Sequence, residues 1–110
     1  MPVQMIINQA GPLPLKANFD AKGNQVMYLE VNGSVYSGNA NKMVGIEIQV
    51  DNKSVGKAQI FSNGASTHRA VVPAYLPIQL SQGTHTLSLS ASTTDTTSDY
   101  NDIFTAVIHY

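Results

Sequence analysis

Met43-Val44-Gly45-Ile46-Glu47-Ile48-Gln49-Val50 sets four branched apolar side chains on alternate positions, with Gly45, Glu47 and Gln49 between them. A period of two is the signature of a strand with one face in a core and one in water. Thr84 to Ala91 repeats the pattern, with His85, Leu87, Leu89 and Ala91 against Thr84, Thr86, Ser88 and Ser90. The closing run sets Phe104, Ala106, Ile108 and Tyr110 against Ile103, Thr105, Val107 and His109. That strand is largely apolar on both faces, which places it centrally in a sheet or at a subunit contact.

Further strands are expected at Val3–Ile7, Gln25–Val31, Ser34–Ser37, Val55–Phe61, Thr67–Val72 and Ile78–Leu80. Val50-Asp51-Asn52-Lys53-Ser54-Val55 reads as a hairpin loop, and Asn32-Gly33 and Asn63-Gly64 as tight reversals. Pro12, Pro14, Pro73 and Pro77 belong at sheet edges or crossings, because proline cannot donate to a ladder. No window carries the 3.6-residue period of a helix. Eight to ten short antiparallel strands in 110 residues predict one all-β domain over 1–110, a β-sandwich of jelly-roll type.

Composition narrows the function. Charged residues make up 12% of the chain, while Ser, Thr, Asn and Gln number 34 of 110. Six basic side chains, with Arg69 the one arginine, cannot build the patch that phosphate backbones require, so no nucleic-acid partner is expected. No stretch approaches 18 apolar residues, so no membrane span is expected either. The opening Met1-Pro2-Val3-Gln4-Met5-Ile6-Ile7 lacks the basic start and long apolar centre of a secretion signal. Zero cysteine removes disulfides, thiolate metal sites and cysteine nucleophiles together.

Catalytic signatures are absent: there is no Gly-x-Ser-x-Gly elbow, no His-Glu-x-x-His and no P-loop. Glu30 and Glu47 fall on expected solvent faces of strands. His68, His85 and His109 lack the His-x-His spacing of barrel metal sites; His85, on an inward strand face, reads as a hydrogen-bonded structural histidine. Asp95, Asp99 and Asp102 lie in a hydroxyl-rich stretch whose oxygens could in principle ligate Ca²⁺. Their spacing fits no loop motif, and Asp and Thr ordinarily cap the turns of such a loop. The chain is therefore expected to be no enzyme and to hold no metal or cofactor.

The tyrosines offer a different chemistry. Tyr75, in Pro73-Ala74-Tyr75-Leu76-Pro77, and Tyr100, beside the acidic stretch, are expected on loops, where a flat ring with a polar tip suits recognition. Sugar faces stack on such rings while Asn, Asp and Thr bond their hydroxyls. The expected site is Tyr75, Tyr100, Asp99, Asn101 and Asp102, and the expected function a lectin-like module that binds carbohydrate. The alternative is an oligomeric structural or attachment head with no small ligand.

Two segments carry a family likeness. Leu80-Ser81-Gln82-Gly83-Thr84-His85-Thr86-Leu87-Ser88-Leu89 resembles a Gly-Thr-His-x-Leu-x-Leu strand of extracellular bacterial β-sandwich modules. Asp102-Ile103-Phe104-Thr105-Ala106-Val107-Ile108 is similar to the closing strand of C1q/TNF-like jelly-roll heads, with Ala106 where glycine is common. That resemblance implies a ten-strand jelly roll packed as a trimer. The sparse charge and the two-sided last strand independently predict a homo-oligomer, with Ile103 and Val107, or Phe104 and Ile108, near the contact.

Overall fold

The computed structural model describes residues 2–23 and 25–110, so Met1 of the opening stretch lies outside it. Ten strands follow in order: β1 (Val3–Ala10), β2 (Leu15–Ala21), β3 (Met27–Asn32), β4 (Ser34–Val35), β5 (Lys42–Val50), β6 (Lys53–Ser62), β7 (Arg69–Ala70), β8 (Ala74–Ile78), β9 (Gly83–Ala91) and β10 (Ile103–His109). One sheet has the order β1-β10-β3-β8, the second β2-β9-β5-β6, and β4 pairs with β7. Every pairing is antiparallel. Among the described residues there is no helix. The chain is a jelly-roll β-sandwich, as the alternating patterns predict.

The core forms where the two inner faces meet. Leu29 and Val31 of β3 and Phe104, Ala106 and Ile108 of β10 face Val44, Ile46 and Ile48 of β5 and Leu87 and Leu89 of β9, all without exposed surface. Burying each larger side chain stabilises the fold by about 1.5–3 kcal/mol before chain entropy is subtracted. For β10 this settles the choice between its two faces: Phe104 and Ile108 point inward, and Ile103 points out with half of its surface exposed. The β5–β6 hairpin turns at Asp51 and Asn52, with φ of 51° and 66°. These are the left-handed conformations that Asn and Asp tolerate in a tight reversal. Gly33 meets a different need, because a Cβ there would lie 2.4 Å from the Phe104 ring.

Three expectations need correction. Leu15–Ala21 is not among the expected strands, yet it forms β2, with Leu15, Phe19 and Ala21 buried. Its alternation was present, but Asn18, Asp20 and the nearby prolines carry low strand propensity, which pairing with β9 overrides. Thr67–Val72 shrinks to the two residues of β7. The strand expected at Ile78–Leu80 runs instead over Ala74–Ile78 and includes Pro77, which sits on an edge strand where its missing N–H does no harm. Tyr75 therefore lies on a strand and not on a loop.

Candidate functional site

The chain between β9 and β10 is long and polar, and it is tied down at several points along its length. Tyr36 and Thr97 exchange two backbone hydrogen bonds of 2.9 and 2.7 Å. The Gly45 amide donates to Thr96 Oγ1, Thr93 Oγ1 donates to the Met43 carbonyl, and the Leu13 amide donates to Ser98 Oγ. At the far end, the Gly11 amide donates to the Asp102 carbonyl at 2.7 Å. A loop fixed this way presents its side chains in one arrangement, which lowers the entropy lost on binding.

Asp102, the residue before β10, is the centre of this arrangement. Its side chain is fully buried. Oδ1 accepts hydrogen bonds from Ser34 Oγ at 2.7 Å and from His68 Nδ1 at 2.6 Å, and Oδ2 accepts one from the Asp99 amide at 2.9 Å. A buried carboxylate is tolerated only when its lone pairs are matched, and here three donors match them. Asp99 Oδ1 in turn accepts from the Asn101 amide at 2.8 Å, the Asx turn expected of such a loop. Asp99 Oδ2 stands 3.7 Å from His68 Nε2, and the Tyr36 ring lies 4.3 Å from the imidazole. The hydrogen bond to Asp102 raises the His68 pKa; desolvation opposes this, and the charges of Asp102 and Asp99 add to it.

Four of the five expected site residues thus come together: Asp99, Tyr100, Asn101 and Asp102. Their roles differ. Tyr100 is 80% exposed at the loop tip, while Asp102 has no accessible surface and acts from behind by holding His68. Asp95 goes elsewhere, 4.0 Å from Lys42, so the three aspartates do not converge. His68, Tyr36 and Ser34 join the site although the sequence pattern did not single them out for it. No local motif could have done so, because His68 and Asp102 are 34 residues apart. The bonds run from Ser34 and from His68 onto the same carboxylate, so the hydroxyl is not linked to the imidazole as a nucleophile–base relay requires.

Tyr75 belongs to a second surface, the outer face of the β1-β10-β3-β8 sheet. It pairs across strands with Glu30, which pairs with Val107. Tyr75 is therefore roughly 13 Å along the strands and about 10 Å across them from the start of β10. Its ring stacks on Tyr28 at 5.3 Å and lies 5.8 Å from His109, whose Nε2 is 3.0 Å from Glu30 Oε1. On the same face Val3, Met5 and Ile103 are each more than half exposed. The three histidines consequently meet three different sets of carboxylates: His68 with Asp102 and Asp99, His85 with Asp51, His109 with Glu30.

No family model and no curated protein matches the sequence. Among solved structures the chain is similar to an Eiger TNF from S. frugiperda, with a TM-score of 0.66 and 7% identity over 100% of this chain and 94% of that one. It is also similar to the EclA C-terminal domain, described as a sugar-binding protein, with a TM-score of 0.56 and 14% identity over 98% of this chain and 77% of that one. A third likeness, at a TM-score of 0.48 and 15% identity, covers 99% of this chain and 98% of the CBM36-1 domain of a xylanase from the hindgut metagenome of Trinervitermes trinervoides. At such identities the first two likenesses establish the jelly-roll fold.

Proposed function

We propose that the chain is a non-enzymatic recognition module that binds carbohydrate at the loop before β10. The observation that carries this reading is Tyr100, an 80% exposed ring on a loop whose backbone is pinned on both sides. An exposed ring offers its face to the C–H side of a pyranose. Beside it Asn101 supplies amide donors and an acceptor, and Asp99 Oδ2 a carboxylate acceptor for sugar hydroxyls. The sparsely charged surface fits a neutral ligand, and the fold is one that a sugar-binding protein also uses. Binding to a glycan array tests it. Tyr100→Ala should remove any glycan signal, and Tyr75→Ala should leave it, since Tyr75 sits on a different face. An array blank at high protein concentration refutes the reading.

A second reading is favoured by the outer face of the β1-β10-β3-β8 sheet. Exposed Val3, Met5, Ile103 and Tyr75 share that face, and single monomers rarely leave such a group uncovered. We propose that a second copy covers it in a closed homo-oligomer, a trimer by the C1q/TNF-like resemblance. Light scattering decides: a single 11.8 kDa species refutes it. In an oligomer, Ile103→Lys with Val3→Lys should release monomers.

A further inference from the structure

We propose that His68 Nε2 and Asp99 Oδ2 form a binding site for one first-row transition dication, Zn²⁺ fitting best. The donor set comes first. One imidazole nitrogen and one carboxylate oxygen suit Zn²⁺ and its neighbours, whereas Ca²⁺ takes six to eight hard oxygens. Next is the state of the ring. Asp102 Oδ1 lies 2.6 Å from Nδ1, so that nitrogen is engaged from behind and Nε2 is the one turned toward Asp99 Oδ2, where an ion would displace any proton it carries. A buried carboxylate behind a histidine is the outer partner that metal-binding histidines use to fix their tautomer and orientation.

The separation of the two atoms is the third argument. At 3.7 Å, Nε2 and Oδ2 are too far apart for a hydrogen bond. With metal–ligand distances of about 2.0–2.2 Å, the same separation subtends roughly 115–135° at a shared ion, a wide but accessible angle for zinc. Neither atom has another hydrogen-bond partner among the described residues, since Asp99 spends Oδ1 on the Asn101 amide. The side chains are 35% and 39% exposed, so an ion enters from solvent and keeps positions open for water. Three separate elements hold the pair: the β6–β7 connection carries His68, the β9–β10 loop carries Asp99, and β4 contributes Ser34 to Asp102. Little rearrangement is needed on binding.

The test is a titration of the intact chain with ZnCl₂ in sugar-free buffer, followed by calorimetry and by ¹⁵N NMR of the histidine side chains. The expected result is one ion per chain at micromolar affinity, a large shift of the His68 Nε2 resonance, and no response to CaCl₂. Asp99→Asn keeps the Oδ1 acceptor for Asn101 and so should fold normally, yet weaken Zn²⁺ at least tenfold. Asp102→Asn should weaken it about 10–100-fold, through the ring it orients and through the Asp99 amide that its Oδ2 holds. No binding below millimolar Zn²⁺ overturns the proposal. So does binding that shifts only His85 or His109, or that survives Asp99→Asn unchanged. Because no sugar is present, failure of the carbohydrate reading and failure of this one are separate results.

Discussion

Two histidines in this molecule each lie 2.6 Å from an aspartate, and they do different things. His85 directs Nδ1 at Asp51 Oδ2 and Nε2 at the Ser81 carbonyl, at 2.6 and 2.7 Å. Both ring nitrogens face acceptors, so with both bonds made the ring is a cation with nothing left to offer a ligand. Asp51 is equally occupied, accepting the Thr86 amide on Oδ1 at 3.0 Å. The pair locks the β5–β6 hairpin turn onto β9. His68 has only Nδ1 engaged, and its second nitrogen faces an equally free carboxylate oxygen. Saturation of the ring, more than its distance to a carboxylate, separates a structural histidine from one available for binding.

The hardest way to break the comparison is to remove the buried anchor. Asp102→Ala leaves Ser34, the Asp99 amide and His68 without their acceptor and should destabilise the fold by about 3–5 kcal/mol, read from urea unfolding. The loop should loosen with it, seen as faster amide exchange over 97–102.

A smaller and pH-dependent effect is expected at the other pair. The Asp51 hydrogen bond, helped by the Ser81 carbonyl, raises the His85 pKa above its ordinary 6.5. Its contribution is therefore fully present below pH 6.5 and is lost as pH rises through the raised value. The His85 hydrogen bond, then that of the Thr86 amide, lowers the Asp51 pKa below 3.8, so its contribution is present above 3.8 and lost as pH falls through the lowered value. Asp51→Asn should thus cost most stability between pH 3.8 and 6.5, and the gap to wild type should shrink in alkali. A gap that is flat from pH 5 to 9 would show that the pair is not charged in the native state. The same variant should leave glycan and Zn²⁺ binding unchanged.

The smallest effect on stability belongs to the residue proposed to matter most for binding. Tyr100→Ala alters an 80% exposed side chain and should change unfolding by no more than about 0.5 kcal/mol. A larger loss would mean that the ring packs on the loop and is not held out for a ligand.

Much of the fold was legible because β5 and β9 each alternate over seven or more residues, and only a strand with one buried face sustains that period. Within β10 the pattern alone left two candidate inner faces, both largely apolar. Packing chose the face of Phe104 and Ile108, because Gly33 opens the space that the Phe104 ring fills. For β2, local preference pointed away from a strand, and seven cross-strand pairs with β9 overrode it.

The amino-acid sequence by itself determined a sparsely charged, cysteine-free, all-β chain, the turn of its β5–β6 hairpin, and a tyrosine beside an acidic loop. Those properties follow from side-chain chemistry and from periods of two, which are local. Tertiary structure alone decided that Tyr75 joins Tyr28 on a sheet face, that Asp95 turns away toward Lys42, and that Asp102 sinks out of reach of solvent. It also decided that His68 crosses to the loop 34 residues on. A buried carboxylate needs donors wherever the chain can bring them, and jelly-roll crossovers bring β4, the β6–β7 connection and the β9–β10 loop to one place. No local pattern in the sequence records that meeting.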